Sequence, residues 1–169
     1  VGYMAAKDAF DAQVLEDKLI LANEAKKIAQ QKAAEELKRM RRMAKYWRSL
    51  SGHQFERELA DIYSSLGYAV TLTKGSGDGG VDLVLVDKGE RTLVQCKAHK
   101  HVVGPAAVRD LYGCLLHDGA RNAILVSLSG FSSGATLFAE NKPIELKDIN
   151  YVLSLHEIVL KTSHKNKMW

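Results

Sequence analysis

Proline and cysteine are both scarce, with two of each in 169 residues. Residues 4–48 contain neither proline nor glycine and are rich in Ala, Glu, Lys, Leu and Gln, which lose little on entering a helix. With no breaker present, the segment predicts one long helix of about 65 Å at 1.5 Å per residue. The cysteines, Cys96 and Cys114, lack CxxC spacing. That excludes a zinc ribbon and a disulfide framework and fits buried thiols in a reducing, cytoplasmic setting. No run approaches 18 apolar residues and no charged-then-apolar leader opens the chain, so neither a membrane span nor a signal peptide is expected. The chain starts at Val1 rather than Met, which leaves open both a longer parent protein and a membrane anchor upstream.

What is present is basic at one end. Residues 1–48 hold eleven Lys or Arg against seven Asp or Glu, while the remainder holds thirteen of each, so the net charge of +4 is all N-terminal. From residue 37 to 48 six cations (Lys38, Arg39, Arg41, Arg42, Lys45, Arg48) meet no acid. One reading is a solvated helix end whose cations complement the helix dipole. The other is a phosphate-binding ridge in which Arg39, Arg41, Arg42 and Lys45 hold DNA. Ala33, Leu37, Met40, Ala44 and Trp47 recur at alternating spacings of four and three, the pattern of a coiled-coil or core seam, so a homodimer through this helix is expected. The organisation reads as a basic helix over 1–48, a globular domain over 49–160 and a mobile tail over 161–169.

Past Ser51, an N-cap residue, Phe55, Leu59, Ile62 and Leu66 line one helical face, and Gly67 closes that helix. Strands follow near 68–72, 83–86 and up to Lys97, then a helix opened by Gly104-Pro105, a strand at 121–127, a short helix at 135–140, a strand at 144–146 and a last helix capped by Asp148. The order predicts an α/β fold with a mixed sheet of about five strands flanked by helices. Asp87-Lys88-Gly89-Glu90 marks a hairpin turn, and the helical connection after Lys97 suits a parallel crossover.

The stretch GSGDGGVDLVLVDKGERTLVQCK over 75–97 holds the chemistry. Gly75, Gly77 and Gly80 match the dinucleotide fingerprint in spacing, but a strand follows them where that motif needs a helix, which excludes a Rossmann site. Glycines let a backbone approach a ligand closely, so Lys74, Ser76 and Asp78 in this loop are candidates to meet a DNA phosphate, with Asp78 alternatively a turn residue. Asp82 stands at the mouth of a strand. Gln95 and Lys97, two apart on the next, share a face opposite Cys96. His99 and His101 lack a third ligand at a familiar spacing; Lys100 is a further phosphate candidate.

An Asp, a short hairpin and Gln-x-Lys together resemble the PD-(D/E)xK nuclease superfamily. DGGVDLV and LVQCK, with Phe55-Glu56 before them and VRDLYG (108–113) and SLSGF (127–131) after, resemble more narrowly the Mrr-type restriction endonuclease catalytic domain. That resemblance covers roughly residues 50–155. It implies the restriction-endonuclease-like fold, catalytic roles for Asp82, Gln95 and Lys97, and a Glu56 that reaches the metal site from the first domain helix. Phosphodiester hydrolysis gains most from a hard divalent ion. Mg²⁺, with Mn²⁺ as substitute, suits Asp82, the Gln95 side-chain oxygen and the Cys96 main-chain carbonyl as ligands. No small-molecule cofactor is expected. The implied activity is DNA cleavage of the type IV restriction kind; the alternatives are a Holliday-junction resolvase or repair nuclease, and a non-catalytic nucleic-acid-binding or coiled-coil assembly protein on the same fold.

Overall fold

The computed structural model describes residues 2–73 and 80–165. The chain divides into two units, 1–40 and 41–169. The first is α1 (Gly2–Arg41), whose apolar side chains are spread around the helix and exposed at Phe10, Leu15, Leu19, Ile20, Leu21 and Ile28.

The expectation of one helix reaching residue 48 is corrected. α1 ends at Arg41 and a separate turn of helix, α2 (Ala44–Ser49), follows Met43, whose backbone is extended. Trp47 explains the break. It is fully buried, stands edge-on to Phe55 with ring centroids 6.2 Å apart, and its Nε1 donates to the Arg41 carbonyl at 2.7 Å. The indole thus satisfies one of the carbonyls that a helix end leaves without a partner. A cut between residues 48 and 49, where composition put the boundary, would sever Trp47 from the core it fills.

α3 (Gly52–Ser65) starts in a capping box, with Ser51 accepting from the Gln54 N–H and Gln54 accepting from the Ser51 N–H, which satisfies two orphan donors at once. β1 (Ala69–Leu72), β2 (Leu83–Asp87) and β3 (Glu90–Lys97) form an antiparallel meander. The β2–β3 turn places both Lys88 and Gly89 at positive φ, the primed geometry that matches strand twist. α4 (Pro105–Asp118) crosses to β4 (Asn122–Ser127), parallel to β3, and α5 (Ser133–Ala139) to β5 (Ile144–Lys147), parallel to β4. The sheet order is β1-β2-β3-β4-β5.

Two cores sandwich the sheet. On one face Leu83, Leu85, Val94, Cys96, Ile124 and Val126 pack with Phe55, Leu59 and Ile62 of α3 and Val152 and Leu155 of α6 (Ile149–Lys165). On the other, Leu93, Ala123 and Leu125 pack with Val108, Leu111 and Leu115 of α4 and Ala135 of α5. α6 is capped by Asp148 Oδ1, which accepts from the N–H groups of Asn150 and Tyr151 at 2.9 and 3.3 Å. The tail expected from residue 161 is corrected in part: α6 continues through Lys165, its apolar side anchored by buried Leu160, and residues 166–169 lie outside the described ones. Among the described residues no helix is long and apolar enough to cross a membrane.

Candidate active site

The β2–β3 ladder changes at its open end. Asp82 N–H donates to the Val94 carbonyl at 2.8 Å, although Val94 is already the register partner of Leu83. This shift brings the Asp82 carboxylate against the next strand, where Oδ2 accepts the Cys96 N–H at 2.6 Å. Such a short, charge-assisted bond fixes the carboxylate beside the Gln95–Cys96 backbone. From β1's end, Thr73 Oγ1 donates to the carbonyls of Val81 and Asp82 at 2.6 and 3.2 Å, holding the approach to Asp82 in place.

Alternation along β3 puts Gln95 and Lys97 on the Leu93 face and Cys96 on the Val94 face. Gln95 is 3% exposed, and its Oε1 accepts no hydrogen bond among the described residues. Gly80, at φ 86°, lies against the same amide: a Cβ there would overlap Gln95 Nε2. The glycine is required twice, for its φ and for the space. Lys97 is half-buried and, with Leu50, Gly52, Cys96, Ala98 and His99, lines a hollow of about 400 Å³. A larger hollow of about 890 Å³ lies between α4 and the middle of the hairpin, lined by Val84, Leu93, Arg109 and His117 among others, and none of Asp82, Gln95 and Lys97 borders it. Size does not mark the site here; the chemistry at the strand ends does.

The Cys96 thiol registers the charges around it. Burial pushes it well above its ordinary range, the Asp82 and then the Glu56 carboxylate add to that, and the Lys97 ammonium opposes. Glu56 therefore lies near the strand end, on α3, but its Oε2 is 3.2 Å from His53 Nδ1. Among the described residues no three His, Cys, Asp or Glu donors gather into a metal cluster. The Asp82 carboxylate is held at the Cys96 N–H, and the neighbouring residue on β3, Gln95, carries a buried amide oxygen. An amide oxygen without a partner among the described residues, with a carboxylate held at the adjacent residue's N–H, is a donor set of the oxygen kind that a hard divalent cation takes.

The other candidates divide. Lys74, Ser76 and Asp78 lie outside the described residues. Arg39 belongs to the first unit and is exposed. Arg41 is half-buried in an ion pair with Glu58, and Arg42 pairs with Glu157 at 3.1 Å. Lys45 and Lys100 are exposed. His99 Nδ1 is 2.8 Å from the His101 carbonyl, which ties the pair to loop geometry. Gly80's packing on Gln95 was not singled out from sequence; a glycine at the strand mouth, opposite a polar residue of the next strand, was the available signal.

A mixed five-stranded sheet in the order β1-β2-β3-β4-β5, flanked by helices on both faces, is a restriction-endonuclease-like fold. Residues 47–156 match the restriction endonuclease family Mrr_cat, and the chain belongs to that family. It is 33% identical over 100 residues, 54% of this chain and 33% of the relative, to the type IV methyl-directed restriction enzyme EcoKMrr of Escherichia coli (strain K12). It is 31% identical over 120 residues, 65% of this chain and 48% of the relative, to the uncharacterized mitochondrial protein C824.03c of Schizosaccharomyces pombe. The chain thus spans less than half of each of these relatives. Among solved structures, the DNA modification-dependent restriction endonuclease AspBHI superposes with a TM-score of 0.52 at 18% identity, covering 73% of this chain and 35% of that one. AF1548, a protein of unknown function, gives 0.51 at 18% identity, covering 64% and 65%. These two establish the fold.

Proposed function

We propose that this domain is a metal-dependent endonuclease of the PD-(D/E)xK type that hydrolyses DNA phosphodiester bonds, working in restriction of foreign or modified DNA as a type IV enzyme does. The observation that carries this reading is the buried Gln95 Oε1, which has no hydrogen-bond partner among the described residues and stands one residue before the N–H that holds Asp82 and two before Lys97, inside the segment that matches the family. A buried acceptor left unmade costs about 1–3 kcal/mol, and a cation taken from solution relieves that cost. Asp82, Gln95 Oε1 and the Cys96 carbonyl would hold Mg²⁺, or Mn²⁺ in its place, with Glu56 behind them on α3. When bound, the ion supplies charge neutralisation at the phosphate and a more acidic water.

The chain's own groups do the rest. Asp82, fixed by the Cys96 N–H, keeps its carboxylate aimed at the strand end. Lys97 holds the attacking water by hydrogen bond and meets the negative charge that grows on the phosphate. Gln95 adds an oxygen without a charge, so affinity for the ion rests mainly on one carboxylate and is low. Cys96 and Cys114 are not joined in a disulfide, which favours work in a reducing, cytoplasmic setting. A homodimer through α1 is a second element of the proposal, resting on the exposed seam residues Leu37 and Met40.

Plasmid with and without methylation, incubated with Mg²⁺ and either wild-type protein or Lys97→Ala, tests the reading. Cleavage by wild type alone supports it, and preference for methylated plasmid supports the type IV assignment. A Lys97→Ala protein that cuts as fast as wild type sinks the nuclease assignment, while cleavage confined to branched DNA moves it to a resolvase.

A further inference from the structure

Just past Lys97 a second hollow, of about 350 Å³, is lined by Arg48, Ala98, Lys100 and Ser129. It shares Ala98 with the hollow that Lys97 lines, so the two adjoin along the chain leaving β3. Three distant segments build it. Arg48 ends α2, and its Nε donates to the Leu128 carbonyl at 3.4 Å; the Leu128 N–H donates to the Lys97 carbonyl at 3.1 Å. Ser129 Oγ donates to the His99 carbonyl at 2.6 Å, tying the loop after β4 to the loop after β3.

Two cations and a hydroxyl therefore share one concavity, and among the described residues its lining contains no acid. Lys38, Arg41 and Arg42 of the same cation run are paired with Glu35, Glu58 and Glu157. Arg48 and Lys100 have no carboxylate partner among the described residues. With Nε engaged, the guanidinium of Arg48 retains its two terminal amino groups as donors, a fork that matches two phosphate oxygens.

We propose that this hollow is a phosphodiester subsite: it holds the DNA backbone phosphate adjacent to the one at Lys97. The proposal rests on the nuclease reading and extends it. The subsite carries no base information; it fixes the register of the strand, so that the scissile phosphate arrives at Lys97 in position to react.

The test uses the full chain and a fluorescent DNA duplex, with binding measured by anisotropy in EDTA across a salt series and cleavage by single turnover in Mg²⁺. One phosphate contact contributes about 0.9 to the slope of log affinity against log salt. Arg48→Ala with Lys100→Ala is expected to lose about that much, one phosphate's share, and either change alone no more. Arg48→Lys keeps the slope, and since Lys100 is exposed, its removal leaves the fold intact. Cleavage by the double variant falls tenfold or more at saturating protein, because the strand is out of register. Slopes equal to wild type in every variant overturn the subsite while leaving the nuclease reading in place. A double variant that loses about 1.8, two phosphates' worth, overturns the shared pocket. If wild type never cuts yet the slopes shift as stated, the nuclease reading falls and the phosphate site stands.

Discussion

The β2–β3 hairpin has two ends made from the same two strands, and they treat their polar groups differently. At the turn end three of them find partners: Arg91 pairs with Asp118 at 2.9 Å, Glu90 with Arg121, and Thr92 donates to Asn122 at 2.7 Å. At the open end the buried Gln95 oxygen has none among the described residues, and hollows lie beside Lys97 and Arg48. Buried polar groups in proteins are almost always satisfied, so the exception calls for a cause. On the proposed function, the turn end is finished by folding, whereas the open end takes a cation from solution.

The largest effects should come from the open end. Lys97→Ala is expected to reduce Mg²⁺-dependent cleavage about 10²–10⁴-fold while the thermal midpoint stays level or rises, since groups gathered for chemistry are seldom arranged for stability. A loss of activity that tracks unfolding would erase the contrast between the two ends. Trp47→Ala makes the structural counterpart: a cavity costing about 3–5 kcal/mol, read as a lower denaturation midpoint. A protein beginning at Arg41 should keep its stability, and one beginning at Ser49 should not.

Gln95 sharpens the comparison further. Gln95→Leu removes the orphaned oxygen and is expected to stabilise the fold by about 1–3 kcal/mol while abolishing the response of activity to Mg²⁺. Gln95→Glu should tighten metal binding, seen as a lower Mg²⁺ concentration for half-maximal activity, because a second carboxylate now faces the ion. Glu56→Gln should shift that titration the other way; an unmoved curve would remove Glu56 from the ligand set. Gly80→Ala, strained at φ 86° and crowding Gln95, should cost about 1 kcal/mol or more and reduce cleavage with it. At the other end, Arg91→Ala should change stability by no more than about 1 kcal/mol, because its partly exposed ion pair is screened by solvent, and cleavage should not change. A large activity loss there would break the distinction.

Much of the fold was legible in the sequence because its signals are local. The Lys88-Gly89 turn, Ser51 before α3, Gly104-Pro105 before α4 and the apolar strands were all visible. Asp82, Gln95 and Lys97 could be placed together because a short hairpin constrains its strands to be neighbours and a period of two sets their faces. The Gln54 half of the capping box went unread, and Glu56 was reached only through family likeness, since its angle on α3 leaves it beside the apolar stripe, not on it.

By itself, then, the sequence determined which segments are helix and strand, that the β2–β3 pair is antiparallel, and which polar residues end it. Tertiary structure decided where α1 stops, because burying the Trp47 indole and giving its N–H to the Arg41 carbonyl outweighs continuing a segment that has no breaker. It decided that Arg41 and Arg42 pair with Glu58 and Glu157, respectively 17 and 115 positions away. It also decided that Arg48 meets Leu128, 80 positions on, and that Gly80 crowds Gln95. Propensity and period act over a few residues, whereas a buried polar group answers to whatever the folded chain brings beside it.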